Sequence, residues 1–469
     1  MRTYIKDISI SVGTEVTVKA WVDVRRDQGK MVFLDLRDVS GKVQAVVLPG
    51  HIEALSVAQT LRTEWVVEVQ ALVNKRPEKN IKQGAVNGDV ELEVLAISVL
   101  NEATTPGFDI STDGYEVGED VRLEKKYLDL RRARLQRNIL MRHKVIKLIR
   151  DTLDAQNFLE IETPLLTNPT PEGSRSYIVP SRLWKGSFYA LPQSPQQYKQ
   201  LLMSAGFERY FQIAKCMRDE DTRGDRQPEF TQMDLEMSFV TREDVMKINE
   251  EMLIAIVTKL FPEKRIQQTS FPIFTYKEVM EKYNSDKPDI REDTHDPNLL
   301  AFCWVVDFPA FEKTSEDNVD DTGAWTFTHN PFTGVRDEYK NDLMEKKNIG
   351  SIVSTQYDIV LNGYEIGGGG IRLHDPQALR KVFEIMGYSD ERIEKNFGHM
   401  LQALGSGTPP HGGIAWGLDR LLMILLNEPN IREVMAFPKT GEGKDLLMQA
   451  PAVAHNKVLR ELGIELQEK

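Results

Sequence analysis

Cysteine is nearly absent from this chain, with two residues, Cys216 and Cys303, among 469. They lie far apart with no paired spacing, which argues against a disulfide framework or a zinc site and suits a reducing compartment. No apolar run approaches the length of a membrane span, and Met1-Arg-Thr-Tyr-Ile-Lys-Asp7 lacks a signal-peptide core, so a cytoplasmic protein is expected. Positive charge is also short: 59 Lys and Arg stand against 71 Asp and Glu, a net charge of −12. A surface basic all over is thereby excluded, and any RNA contact must rest on local patches. What remains is an ordinary globular composition, 41% hydrophobic and 28% charged, in a chain long enough for more than one domain.

The N-terminal hundred residues alternate in polarity. Val16, Val18, Ala20, Val22 and Val24 share one face, as do Val32, Leu34 and Leu36. Val43, Ala45 and Val47 follow a turn at Ser40-Gly41. A helical pattern (Ile52, Leu55, Ala58, Leu61) comes next, then strands around 65–73 and 90–97. Five strands with a helix between the third and fourth is the order of an OB-fold, a small barrel that often binds single-stranded nucleic acid. Phe33 is out of phase with the barrel core and shares the opposite face with Asp35 and Arg37. An outward aromatic near Arg25, Arg26 and Gln44 suits base stacking with polar readout. A Phe covered by a neighbouring loop is the plainer alternative.

A second alternating pair, 210–217 and 233–240, flanks a loop dense in charge. It holds Arg218, Arg223 and Arg226 together with Asp219, Glu220, Asp221 and Asp225. The pattern predicts an antiparallel hairpin with a long loop. Arginine forks grip phosphate and carboxylates accept from amines and hydroxyls, so the mixture points to a nucleotide. A solvated hairpin tip whose charges pair with one another would look the same.

Arg218-Asp-Glu followed by Arg226-Gln-Pro-Glu-Phe-Thr-Gln232 resembles the second signature motif of class II aminoacyl-tRNA synthetases, worded as in the bacterial-type aspartyl family. The resemblance extends along nearly the whole chain. Trp21-Val-Asp-Val-Arg-Arg-Asp27 and Phe33-Leu-Asp-Leu-Arg-Asp38 look like that family's anticodon barrel, and Tyr127-Leu-Asp-Leu-Arg-Arg132 is another family hallmark. A helix with Leu135, Ile139, Ile146, Ile149 and Leu153 on one stripe, then Phe158-Leu-Glu-Ile-Glu-Thr-Pro164, resembles the first motif, which builds a homodimer interface in the family. Gly417-Leu-Asp-Arg420 resembles the third.

The implied fold is α+β. It comprises an OB-fold barrel over 1–106, a connector over 107–130, a class II catalytic domain over 131–445 on an antiparallel sheet flanked by helices, and a C-terminal extension over 446–469. The family usually carries an extra domain between Ser285-Asp-Lys-Pro288 and Phe302-Cys-Trp-Val-Val-Asp-Phe308; here barely a loop joins them.

The implied activity is ATP-dependent attachment of L-aspartate to tRNA-Asp. Such chemistry needs no covalent nucleophile, only positioning and charge stabilisation, and no serine or cysteine with a matched base stands out. By resemblance Arg218, Arg420 and Glu365 are catalytic. Asp219, Glu220, Gln227, Gly417, Leu418 and Asp419 join them around ATP. Glu172, Ser194, Gln196, Lys199, Arg218, Asp234, His329 and Arg372 would hold aspartate, and Asp358 and Glu365 would hold Mg2+. Arg26, Phe33 and Gln44 would read the anticodon. Asn330 departs from the histidine common in the family. The seven-residue spacing from Asp358 to Glu365 puts them on opposite faces of a regular strand, so a bulge or a turn near Asn362-Gly363 is required. Gly367-Gly-Gly-Gly370 lacks the lysine and helix of a phosphate loop and reads as close backbone packing or approach to the adenylate.

Two rivals stay open. One keeps the chemistry but charges both tRNA-Asp and tRNA-Asn, a choice located near Gln28 and the loop Lys79–Gly88. The other is an inactive RNA-binding regulator, against which the retention of Arg218, Asp358, Glu365, Arg372 and Arg420 speaks.

Overall fold

A computed structural model describes residues 1–84, 86–169, 174–314 and 323–467. Contacts divide the chain into two compact units, Met1–Asp109 and Ile110–Lys469.

The first unit is a closed barrel of β1 (Glu15–Asp27), β2 (Val32–Asp38), β3 (Gly41–Val47), β4 (Val66–Lys75) and β5 (Val90–Asn101), in the order β1-β2-β3-β5-β4. The β3–β5 contact is parallel and the other pairs are antiparallel. Helix α1 (Ile52–Thr60) falls between β3 and β4, as the sequence pattern requires. Alternation builds the core: Val32, Leu34 and Leu36 are fully buried between half-exposed Phe33, Asp35 and Arg37.

The alternation of β1 breaks one residue earlier than expected. Val22 lies opposite Leu36 but Val24 lies opposite Asp35, so Asp23 is an extra residue in a bulge. A bulge flips every side chain beyond it, and Val24 therefore points outward, 38% exposed. Ile52 is likewise outside, and Ala54, Ala58 and Leu61 make the buried contact of this segment instead.

The second unit is built on one eight-stranded sheet. Its strands are β6 (Leu159–Glu160), β7 (Arg209–Met217), β8 (Glu229–Ser238), β9 (Ile273–Thr275), β10 (Phe302–Val306), β11 (Gln356–Leu361), β12 (Tyr364–Ile371) and β13 (His411–Gly417). The spatial order is β9-β10-β11-β12-β13-β8-β7-β6. The body is antiparallel, as expected, whereas both edges pair parallel, β9 with β10 and β6 with β7. The strand expected over 158–164 is only two residues long. Ile161 still donates its N–H to Phe211, and Pro164 beyond it has none to give.

Helices α2 (Ala133–Asp154), α4 (Arg242–Leu260) and α5 (Leu418–Leu425) share one core with the sheet, while α3 (Gln196–Ser204) supplies polar side chains to the site. Thr241 and Asp244 start α4 with a reciprocal capping box. The period of two decides which face is which. Met233, Leu235 and Met237 of β8 enter the helix-covered core with Ile359, Ile414 and Trp416. Gln232, Asp234 and Glu236 must therefore point to the other face, and that face carries the site.

Candidate active site

The predicted hairpin forms between β7 and β8, in register from Glu229 opposite Met217 to Met237 opposite Arg209. Its loop is closed at the base by Arg218 N–H donating to the Pro228 carbonyl at 2.9 Å. A cavity of about 430 Å³ opens beneath it. Ser194, Gln196, Lys199, Arg218, Glu220, Gln227, Asp234, His329, Glu365, Arg372, Gly417, Asp419 and Arg420 all line it. Asp219, Leu418 and Asp358 do not, and Glu172 lies outside the described residues.

Charges are buried in pairs at one part of this cavity. Gln196 and Lys199 sit one turn apart on α3, so they share a face. Lys199 Nζ donates to Asp234 Oδ1 at 2.6 Å and lies 3.2 Å from Glu236 Oε2. Arg372 closes a fork on Glu236, Nε to Oε1 at 2.9 Å and Nη2 to Oε2 at 3.2 Å. All four side chains are at least 95% buried. Burial pushes Glu236 up, but Arg372 and Lys199 outweigh it and hold the carboxyl below its ordinary range. For Asp234 burial wins over Lys199, and the group is raised. Its Oδ2 is buried with no hydrogen-bond partner. The sequence expectations omit Glu236, although its spacing of two from Asp234 on an alternating strand is a signal for it.

The arginines expected to meet phosphate are partly unused. Arg218 lies over the Phe230 ring at 5.2 Å, and its buried Nε has no partner. Arg420 donates to the Glu365 carbonyl and, at 3.0 Å, to Asp225 Oδ2, while its Nε is also unpartnered. Gln227 accepts from the Lys439 N–H at 2.8 Å and leaves its own amide nitrogen without an acceptor. Glu220 accepts from Ser174 and from Arg226 at 3.4 Å. Asp419 is engaged by Arg142 and by the Thr231 N–H at 2.8 Å. Leu418 is buried in the core cluster, and Asp219 is an exposed loop residue whose N–H donates to the Arg175 carbonyl.

The Asp358–Glu365 spacing is resolved by the turn, one of the two devices the sequence allows. Asn362 (φ 50°) and Gly363 (φ 84°) turn the chain back, so Glu365 lies opposite Val360 and shares its face with Asp358. A bulge then follows between the Ile359 and Val360 pairings, bringing Gly368 under Asp358. A Cβ at Gly368 would come 2.8 Å from Asp358 Oδ1, and one at Gly369 would come 2.2 Å from the Gly413 carbonyl. The glycine run is thus explained by strand packing at the cavity wall. Asp358 is buried and accepts from Gln356 at 2.6 Å. Burial and then the charge of Glu365 push its carboxyl well up. Among the described residues no group of three His, Cys, Asp or Glu is arranged to hold a metal. A buried carboxyl that a neighbouring carboxylate pushes up nonetheless fits a cation that takes most of its oxygens from phosphate and water.

His329 packs edge-on against Phe308 at 4.8 Å, and burial lowers its basicity. Asn330 lines the cavity and accepts from the Phe332 N–H at 3.0 Å, stabilising the turn.

In the barrel unit, Arg26 lies opposite Phe33 and Asp35 lies opposite Gln44. Arg26 forks onto Asp35 at 2.9 and 3.0 Å. Phe33 and Gln44 are half-buried on this outer face.

Comparison with known proteins agrees with this architecture. Residues 118–441 match the family model of class II tRNA synthetases (D, K and N), and residues 16–100 match that of the OB-fold nucleic acid binding domain. The aspartate–tRNA ligase of Staphylococcus aureus (strain NCTC 8325 / PS 47) is 38% identical, with 97% of each chain covered. That alignment runs over 582 residues, more than the 469 here, so the relative carries segments this chain lacks. Among solved structures, asparaginyl-tRNA synthetase from Pyrococcus horikoshii has a TM-score of 0.74 at 21% identity, over 94% of this chain and 98% of its own. Aspartyl tRNA synthetase from Entamoeba histolytica has a TM-score of 0.71 at 23% identity, over 93% and 91%. The chain belongs to the class II tRNA synthetases of the D, K and N group.

Proposed function

We propose that this chain is an aspartate–tRNA ligase, activating L-aspartate with ATP and transferring it to the 3′ end of tRNA-Asp. The observation that carries the amino-acid assignment is the buried quartet of Lys199, Arg372, Asp234 and Glu236, of which the first three line the cavity. Lys199 and Arg372 line the cavity as its two buried cations, and each has N–H donors beyond those its carboxylate partners take, which an acidic side chain matches better than an amide does. In the first step the aspartate α-carboxylate oxygen forms a bond to the α-phosphorus of ATP, and the bond to pyrophosphate breaks. Arg218 would stabilise charge developing on the α-phosphate, and Arg420 would hold the γ-phosphate. In the second step a terminal ribose hydroxyl of tRNA attacks the aspartyl carbonyl; AMP departs and the hydroxyl proton is released. Asp358 and Glu365 would hold Mg2+, which neutralises phosphate charge when bound. The remaining assignments of Asp219, Glu220, Gln227, Gly417, Leu418 and Asp419 around ATP, and of Glu172, Ser194, Gln196, Asp234 and His329 around aspartate, belong to this reading.

The reading includes a homodimer, supported by exposed Leu140, Leu159, Leu165 and Leu166 along the first-motif segment. It includes a cytoplasmic location; among the described residues no helix is long and apolar enough to cross a membrane. In the barrel, Phe33 would stack on an anticodon base with Arg26 and Gln44 beside it.

Pyrophosphate exchange tests activation. We expect exchange with aspartate and little with asparagine, and a preference for asparagine would sink the assignment. Aminoacylation of tRNA-Asp and tRNA-Asn transcripts then separates a discriminating enzyme from one that charges both. Phe33→Ala should lower tRNA charging by about 10- to 100-fold, the scale of one lost stack, with exchange within about twofold. Equal losses in both assays would remove the anticodon role.

A further inference from the structure

Beside the buried quartet runs a chain of polar side chains whose direction is fixed at one end. His411 Nδ1 lies 2.8 Å from the Pro409 carbonyl oxygen, which can only accept. The Nδ1 atom must therefore carry the proton. Burial holds the ring below its ordinary basicity, so it is neutral and Nε2 is an acceptor. Gln200 Nε2 lies 3.1 Å from that Nε2 and donates to it. Gln200 then presents its Oε1 to Gln196, whose Nε2 donates at 3.0 Å. Gln196, Gln200 and His411 are each at least 97% buried. With its nitrogen committed, Gln196 turns Oε1 toward the cavity it lines, and no described residue donates to that oxygen. Asp234 Oδ2, on the same cavity, is a second acceptor with no donor in bonding geometry, the nearby Tyr210 hydroxyl being given to Gln212 at 3.0 Å. Acceptors awaiting a donor fit a primary ammonium, which has three N–H groups and no lone pair.

We propose that Gln200 and His411 are positioning residues that lock the Gln196 amide with its oxygen toward the substrate's α-ammonium, so that they set recognition of the amine without touching it. The inference rests on the aspartate reading. Without Gln200 the Gln196 nitrogen loses its acceptor, and an amide turned over to regain one would offer N–H instead of oxygen to an ammonium.

The test compares aspartate with succinate, the same dicarboxylate without the amine. Binding of each to the full-length protein is measured by calorimetry for wild type, Gln200→Met and His411→Phe. We expect each substitution to weaken aspartate binding about tenfold, the scale of one buried hydrogen bond to a charged group. Succinate affinity should stay within about twofold, and the two substitutions together should cost no more than one. Thermal melting excludes any variant that does not fold, and either variant alone is sufficient. Parallel weakening of aspartate and succinate, or no change in either, overturns the proposal. If the wild type instead binds asparagine, the aspartate reading fails by itself, and asparagine with succinamate makes the same comparison. Binding of neither amino acid overturns both.

Discussion

The catalytic unit buries two clusters of arginine, lysine and carboxylate, and they differ in how completely their carboxylates are paired. In the connector cluster Glu433 uses both oxygens, accepting from Arg122 at 2.8 and 3.2 Å and from Arg134 at 2.9 Å. Glu428 also uses both, accepting from Arg134, Asn138 and Tyr115. In the cavity cluster Asp234 uses one oxygen and buries the other unpaired. The electrostatic consequence is opposite in sign. Burial works to raise both carboxyls, yet the two arginines bring Glu433 down to about 2, whereas Asp234 stays raised. Charge burial alone therefore does not mark a site. An orphaned donor does not mark one either, since Arg122 Nε is buried without a partner in the connector cluster. What sets the cavity cluster apart is a carboxylate oxygen left without a donor, costly in the free protein and relieved when a ligand supplies one.

Removing a cation from the incomplete cluster gives the largest expected effect. Arg372→Ala would leave Glu236 buried with Lys199 alone and would remove the fork that an acidic side chain meets. Aspartate-dependent pyrophosphate exchange should fall by about a thousandfold or more, corresponding to about 4 kcal/mol or more. Arg372→Lys should restore little, because a point charge cannot hold two oxygens of Glu236 and reach the substrate as well. Wild-type exchange in Arg372→Ala would show that the pocket has been assigned to the wrong residues.

How much of this was legible in the sequence follows from the range of each interaction. Strand alternation is local, so the barrel, the β7–β8 hairpin and the outward face of Phe33 could be read residue by residue. The bulge at Asp23 could not, because it is set by pairing with β2 and leaves no mark in β1 itself. Lys199 and Arg372 stand out only through family resemblance; a lone lysine on a helix is ordinarily solvated. Glu236 was recoverable, since it repeats Asp234 two residues on. The connector cluster was invisible: Arg122 and Glu433 are 311 positions apart, and neither stands in a pattern that announces the other. Likewise nothing local says that His411 of β13 orders a glutamine on α3. Tertiary contact, with no sequence period, makes these links.

The smaller effect sharpens the comparison from the complete side. A carboxyl held near 2 when folded, against an ordinary 4.5, gives stability that is fully present above about pH 4.5 and lost as pH falls toward 2. The span corresponds to about 3 kcal/mol, of which about 2 kcal/mol should be gone by pH 3. Asp234 makes no such contribution, because a raised carboxyl is relieved by acid. Glu433→Gln keeps acceptor and shape but removes the charge, so it should melt lower than wild type at pH 7 and lose less on acidification. The two melting curves should converge toward pH 3. Curves that stay parallel would mean that Glu433 draws no net stability from its arginines. The difference between the two clusters would then lie in geometry alone, with no energetic counterpart.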